Sequence, residues 1–285
     1  MKIEELLKEG KENLIKNNIE DANVIARVLL QFVLNMNRNE LVLKNGEEVE
    51  KQKEEEYKIV IEKIIKGIPL QYITNNQEFM KLNFFVNENV LIPQPDTEIL
   101  VEEVLGIVNK NKEEKEEKTN KILDMCSGSG CIGISLANYM KNVKVTMSDI
   151  SKDAIEVAKK NAKDNNVYDK VKFIQSDLFE NIKEKFDIIV SNPPYIETKT
   201  IKKISKQVQN EPIIALDGGE DGLLFYRKLI NEAPDFLNDK GYLCMEIGYD
   251  QKDKVINLAK EKNEFSKIEA IKDLSGNDRV IILRK

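Results

Sequence analysis

The chain has 285 residues, 41% apolar and 33% charged, with a net charge of −6 and no histidine. That length accommodates one large domain or two smaller ones around buried cores. The absent histidine excludes a Cys/His zinc site and removes the usual general base. Neither the first 75 residues nor the remainder is net positive, so direct nucleic-acid binding is not expected.

From the N-terminus, Met1–Glu5 is acidic and amphipathic, without the apolar region of a leader peptide. No run of about eighteen uncharged apolar residues follows, so no membrane contact is expected and a cytoplasmic protein is the simplest expectation. Ile3, Leu6, Leu7, Leu14 and Ile15 recur at helical spacing. Asp21 stands at the cap position of a second helix bearing Val24, Ile25, Val28, Leu29, Phe32 and Val33. A third helix is predicted from about Glu47 to Lys66, stopped by Gly67 and Pro69. Residues 1–75 thus read as a small helical domain, either a plain bundle or a platform for docking a substrate. Phe79, Leu82, Phe84, Val86, Val90 and Leu91 suggest two strands about Asn87-Glu88-Asn89, a hairpin linker over 76–92. Residues 93–285 form the third part. A helix is predicted from Asp96 to Val108, with Asp96 or Thr97 near its cap. The charged run from Lys110 to Lys121 reads as a solvated loop.

Beyond Lys121 strands and helices alternate. Strands are predicted at 121–125, 143–148, 171–175, 186–190, 241–247, 268–272 and 280–283. Helices are predicted at 132–140, 152–161, 223–237 and 251–261. This is the pattern of an α/β domain, a mostly parallel seven-stranded sheet with helices on both faces. The last two strands have no helix between them and are expected to form a hairpin, leaving one strand antiparallel.

The first of these strands leads into Asp124-Met125-Cys126-Ser127-Gly128-Ser129-Gly130-Cys131-Ile132-Gly133. Gly128 and Gly130 allow backbone to approach a ligand where a Cβ would collide, and the next helix points its N-terminus there. Cys126 and Cys131 read as small residues that fit the bend, and with Cys244 they make no disulfide framework. Asp149 ends the second strand, where a carboxylate can accept both hydroxyls of a ribose. Asp177 closes the third, placed to meet an adenine amino group. Three aspartates on the carboxyl rim of an open sheet indicate a nucleoside cofactor. Two cofactors fit. Gly128–Gly133 matches the dinucleotide pattern G-x-G-x-x-G. The usual S-adenosylmethionine loop, D-x-G-x-G-x-G, is matched except that Cys126 replaces its first glycine.

The fourth strand ends in Asn192-Pro193-Pro194-Tyr195. The Asn192 side-chain oxygen can accept one N–H of a planar amide or amidine, and the Pro193 carbonyl the other. Two prolines preorganise these acceptors, and Tyr195 can stack on the flat group. Such a grip favours methyl transfer to a delocalised nitrogen, because the acceptors become better partners as nitrogen turns sp³ and positive. It needs no strong base, which suits a chain without histidine.

With these residues in view, the chain resembles the PrmC/HemK family, protein-(glutamine-N5) methyltransferases that act on peptide chain release factors. The likeness takes in Pro69–Ile73, Leu91–Glu98, the Cys126–Gly130 loop and Asn192–Tyr195. It also takes in Glu211-Pro212, Ala215–Gly219, Asp221–Leu223 and Glu246-Ile247-Gly248. The resemblance implies a helical N-terminal domain, a β-hairpin linker and a class I, Rossmann-like methyltransferase domain. It implies S-adenosylmethionine as donor, S-adenosylhomocysteine as product, and the glutamine of a Gly-Gly-Gln loop in class 1 release factors as acceptor. Carried over by position, Cys126, Ser127, Gly128, Ser129, Gly130, Asp149, Leu178 and Asn192 would line the cofactor, with Leu178 against the adenine face. Asn192, Pro193, Pro194 and Tyr195 would hold the glutamine. Gln94 departs from the family, which usually has arginine there; the change removes a charge and a fork of donors. The alternatives are a glutamine methyltransferase acting on a ribosomal protein and a DNA adenine-N6 methyltransferase. The second shares the Asn-Pro-Pro-Tyr motif but must flip a base and usually has a basic recognition region.

Overall fold

The structure, a computed structural model, describes residues 1–112 and 119–285. The chain folds into two compact units, Met1–Asn75 with Ser205–Asn210, and Asn76–Ile204 with Glu211–Lys285.

The first unit is helical: α1 (Ile3–Lys16), α2 (Ala22–Leu34), α3 (Arg38–Leu43), α4 (Lys51–Ile65) and α5 (Leu70–Thr74). Leu6, Leu14, Leu29, Leu30, Ile61 and Ile64 form its core. Tyr57 is buried among them, its hydroxyl donating to the Ala26 carbonyl at 3.0 Å. The sequence expected three helices; α3 and α5 are additions too short for periodicity to declare. Asp21 precedes α2 as expected but makes no side-chain cap, because its own backbone is left-handed (φ 52°).

The hairpin is displaced from its expected place. Its strands are β1 (Gln77–Phe79) and β2 (Leu82–Phe84), turning at Met80-Lys81 rather than at Asn87–Asn89. Both turn residues have positive φ, the geometry of a two-residue hairpin loop that normally selects Asn or Gly. Tertiary contacts override that preference. The Met80 N–H donates to Glu98 Oε1 at 2.6 Å, and the Tyr139 hydroxyl donates to the Met80 carbonyl at 2.5 Å. Asn87 instead shapes a local turn, accepting the Asn89 N–H on its side chain at 3.1 Å.

The rest of the second unit is a seven-stranded sheet: β3 (Asn120–Met125), β4 (Val143–Asp149), β5 (Val171–Gln175), β6 (Phe186–Ser191), β7 (Leu237–Glu246), β8 (Lys267–Lys272) and β9 (Asp278–Arg284). Their order is β5-β4-β3-β6-β7-β9-β8, with β9 antiparallel to both neighbours as the terminal hairpin predicted. Alternate residues feed two cores. Ile122, Ile188, Cys244 and Ile282 face one side, and Leu123, Ile189, Leu243 and Ile281 the other. The first face is covered by α6 (Glu98–Lys112), α7 (Cys131–Tyr139) and α8 (Lys152–Asp164). The second is covered by α12 (Leu224–Phe236) and α13 (Lys252–Lys262). Three one-turn helices, α9 (Thr198–Ile201), α10 (Lys206–Gln209) and α11 (Ile213–Leu216), cross the stretch after β6 where no element was expected. Half of the charged run read as a loop, residues 113–118, lies outside the described residues; at its ends α6 reaches Lys112 and β3 begins at Asn120. No helix among the described residues is long and apolar enough to cross a membrane.

Because β3 to β7 are parallel, their carboxyl ends share one rim. The order reverses between β3 and β6, the switch point where open α/β sheets leave a crevice for ligands.

Candidate functional site

The crevice is lined on one side by Cys126 and Gly128 after β3, Asp149 at the end of β4, and Asp177 and Leu178 after β5. On the other side stand Asn192 and Pro194 after β6. These are seven of the residues singled out in the sequence. Asp124, Ser127, Ser129, Gly130, Pro193 and Tyr195 do not line the crevice.

Asp124 lies beneath the loop, fully buried on β3. Its Oδ2 accepts the Gly133 N–H from the first turn of α7 at 2.8 Å. Gly133 suits the close approach, since a Cβ there would sit 2.8 Å from both Asp124 Oδ2 and Met147 Sδ and displace one of them. Burial pushes the Asp124 carboxyl up to about 7, the Gly133 N–H opposes this, and the nearby Asp149 charge adds to it. The loop above is left-handed at Cys126 (φ 60°), Gly128 (φ 53°) and Gly130 (φ 80°). Only Cys126 pays the Cβ penalty of that conformation, on the order of 1–2 kcal/mol. Burial raises its thiol above the ordinary range, which disfavours the nucleophilic thiolate.

Asp149 is gripped by backbone. Its Oδ2 accepts the Gly128 N–H at 2.8 Å and its Oδ1 the Ser151 N–H at 2.9 Å. Burial raises its carboxyl, and the Ser151, Gly128 and Ile150 amides oppose the shift. Each oxygen keeps a further lone pair for a ligand hydroxyl. Ser129 contributes through its carbonyl, which accepts from the buried Asn161 side chain at 2.9 Å. Asn161 also exchanges hydrogen bonds with Phe85, at 2.7 Å to its N–H and 3.0 Å to its carbonyl. The segment after the hairpin is thereby tied to the glycine loop, and Asn89, Val90 and Leu91 reach the crevice.

At the end of β6, Asn192 Nδ2 donates to Thr97 Oγ1 at 3.2 Å. Thr97 donates onward to Glu246 Oε2 at 2.6 Å, and the Tyr195 hydroxyl approaches Glu246 Oε1 at 3.4 Å. Thr97 and Glu246 are buried. Burial pushes Glu246 up to about 7; the Thr97 hydroxyl and the Arg279 charge pull it down, and Asp96 raises it. The Pro193 carbonyl accepts no hydrogen bond from any described residue. The Tyr195 carbonyl accepts from buried Gln251 Nε2 at 3.0 Å, and the same nitrogen reaches the Gly222 carbonyl at 3.2 Å. All peptide bonds described are trans. Gln94, at the departure from the family pattern, is exposed and donates to the Ile92 carbonyl at 2.9 Å. The nearby ion pairs belong to Arg279, at 3.1 Å from Asp96 and 3.0 Å from Asp273.

Sequence reasoning missed Asn161, Gln251, Phe225 and Lys228, the last two lining the crevice from α12. It saw Thr97 and Glu246 only as a cap and as part of a resemblance. A buried carboxylate at the end of a central strand was the available signal.

Fold and site together define a class I methyltransferase. Residues 105–275 match the model of the methyltransferase small domain, and residues 5–74 match that of the PrmC N-terminal domain. The chain is 42% identical to the release factor glutamine methyltransferase of Clostridium acetobutylicum, over 99% of this chain and 98% of that one. It is 41% identical to that of Clostridium botulinum over the whole of both. Among solved structures, a methyltransferase from Pyrococcus furiosus shares the fold with a TM-score of 0.50 at 22% identity, covering 72% of this chain and 89% of that one. The chain belongs to the release factor glutamine methyltransferase family.

Proposed function

We propose that this protein transfers a methyl group from S-adenosylmethionine to the side-chain amide nitrogen of the glutamine in the Gly-Gly-Gln loop of class 1 release factors. The observation that carries this reading is the pair of acceptors, Asn192 and the Pro193 carbonyl, on the rim beside the crevice walled by Gly128 and Asp149. The crevice suits the donor. Beside it, Gly128 has open space where a Cβ would stand, and the buried Ser148 Oγ that lines it has no hydrogen-bond partner. Asp149 would hold the ribose hydroxyls, Asp177 the adenine amino group, and Leu178 the adenine face. Cys126 to Gly130 would follow the amino-acid portion, with Asp124 bracing the loop from below.

When bound, the donor supplies an electrophilic sulfonium methyl. The chain does the remaining work. Asn192 Oδ1 and the Pro193 carbonyl take the two N–H bonds of the amide, which orients its lone pair; such positioning is worth roughly 7–11 kcal/mol. As nitrogen gains positive charge, both contacts strengthen, which favours the transition state. The methylated nitrogen then gives its proton to solvent water, with S-adenosylhomocysteine as the other product, so no histidine is needed. With its hydroxyl turned to Glu246, Tyr195 offers only its ring to the flat acceptor. The helical unit of residues 1–75 is proposed to dock the release factor. A release factor works on ribosomes, so the reading puts the enzyme in the cytoplasm.

The experiment offers methyl-labelled S-adenosylmethionine with a release factor, the same factor with its Gly-Gly-Gln glutamine changed to alanine, and duplex DNA. Label on the first alone is expected. Label on DNA alone would overturn the reading.

A further inference from the structure

We propose that Thr97 and Glu246 are positioning residues that fix which end of the Asn192 amide faces the acceptor, making the site selective for a nitrogen bearing two hydrogens. The inference rests on the amide-methylation reading above and concerns how its acceptor is chosen.

Hydrogen-bond polarity sets the direction of the Asn192 amide. An ionised carboxylate can only accept. At 2.6 Å, the Thr97 hydroxyl therefore gives its single hydrogen to Glu246 Oε2. The Thr97 oxygen is left able only to accept, and 3.2 Å away the one group of Asn192 that can donate is its NH₂. The side-chain amide is planar, so anchoring the nitrogen turns Oδ1 away from Thr97. The orientation of Asn192 is thus set by a carboxylate two hydrogen bonds removed.

Both links are held by the fold. Glu246 ends β7, paired with Val280 of β9, and its carbonyl accepts the Tyr226 hydroxyl at 3.0 Å. Thr97 sits in a turn closed by its own N–H on the Gln94 carbonyl at 3.1 Å. Arg279 of β9 pins that turn through Asp96 at 3.1 Å.

The consequence is a site with two acceptors. A primary amide offers it two N–H bonds. A hydroxyl offers one, and a carboxylate offers none and brings lone pairs against lone pairs. With Asn192 reversed, its NH₂ would meet the N–H of the acceptor, donor against donor. Leaving such buried groups unpaired costs about 1–3 kcal/mol each.

The charged and titratable groups facing Glu246 are Arg279 and Asp96, with Tyr195 after β6, Tyr226 on α12 and Cys131 at the start of α7. When Glu246 takes up a proton it can donate to Thr97, and the chain loses its fixed sense. With burial holding that carboxyl near 7, an acid limb in turnover near pH 7 follows.

The test compares Thr97→Val, Thr97→Ser and Glu246→Gln with the wild type, on a release factor at saturating donor. Wild-type turnover is measured first; its absence would defeat the function itself, whereas the variants bear only on positioning. Thr97→Val is expected to lower kcat by about 30–100-fold, with release-factor KM and donor Kd within about threefold. Thr97→Ser keeps the hydroxyl and is expected within about threefold of wild type. Glu246→Gln, close to isosteric, is expected to lower kcat and abolish the acid limb. Wild-type kcat in Thr97→Val, or equal impairment in Thr97→Ser, would overturn the proposal. So would an unchanged acid limb in Glu246→Gln, which also serves if the valine variant does not fold.

Discussion

The proposed donor and acceptor sides of the rim are built differently. On the donor side, Asp149 is fixed by the backbone amides of Gly128 and Ser151, and the loop is shaped by positive-φ residues. On the acceptor side, Asn192 is fixed by side chains, through Thr97 to Glu246. On the proposed reading, a nucleoside is recognised by the shape of a stiff backbone, and one reacting nitrogen by the direction of one amide. Donor-side changes should therefore act on cofactor affinity, and acceptor-side changes on turnover.

The largest effect expected is that of Asn192→Ala, a loss of about 10²–10³ in kcat, by analogy with removing one transition-state hydrogen-bond partner. Calorimetry should show donor affinity nearly intact. Turnover at the wild-type rate would erase the acceptor half of the comparison. Asp149→Ala should do the converse, weakening donor binding by about 10–100-fold, the range for losing hydrogen bonds to a charged group. Unchanged affinity would remove Asp149 from the site.

Gly133→Ala probes the brace beneath the donor loop. The added methyl must displace Asp124 Oδ2 or Met147 Sδ, each 2.8 Å from its position, so a loss of about 1–3 kcal/mol is expected in denaturant unfolding. Alanine in an open helix position would instead gain about 1 kcal/mol. A stabilised variant would show that the brace is not tight.

Stability against pH probes Glu246, read as a difference from wild type because Asp124 beneath the loop is also raised to about 7. The Glu246 carboxyl is raised by burial from its ordinary 4.5 to about 7. Its contribution is fully present below the ordinary carboxylate range and is lost as pH rises through about 7. Glu246→Gln lacks this dependence, so the Tm difference should shift in favour of the variant as pH rises across that window. A difference constant with pH would mean that Glu246 does not titrate there. The smallest effect belongs to Cys126→Gly. Relief of the left-handed strain is largely offset by the flexibility of glycine in the unfolded chain, so stability should change by less than about 1 kcal/mol. Donor affinity should move only modestly, because Cys126 lines the crevice but offers it no charged contact.

Much of this was legible in the residues. The alternation of strands and helices, the antiparallel end of the sheet and the crevice residues Gly128, Asp149, Asp177 and Asn192 follow from local pattern. What pattern could not carry was contact between distant segments. The hairpin turn lies at Met80-Lys81 because Glu98 and Tyr139 hold it there, against the preference of the turn residues themselves. Thr97 looked like a helix cap; its partner Glu246 is 149 residues away. Asn161, mid-helix and polar, is explained only by Phe85 and the glycine loop.

The central claim is that Asn192 and Pro193 present a glutamine amide to a methyl donor. Fragment-ion mass spectrometry of a release factor treated with this enzyme and S-adenosylmethionine tests it most directly. The account predicts a single added methyl on the side-chain nitrogen of the Gly-Gly-Gln glutamine, missing from the Asn192→Ala reaction. Methylation at another residue, or at that glutamine undiminished in Asn192→Ala, would contradict it.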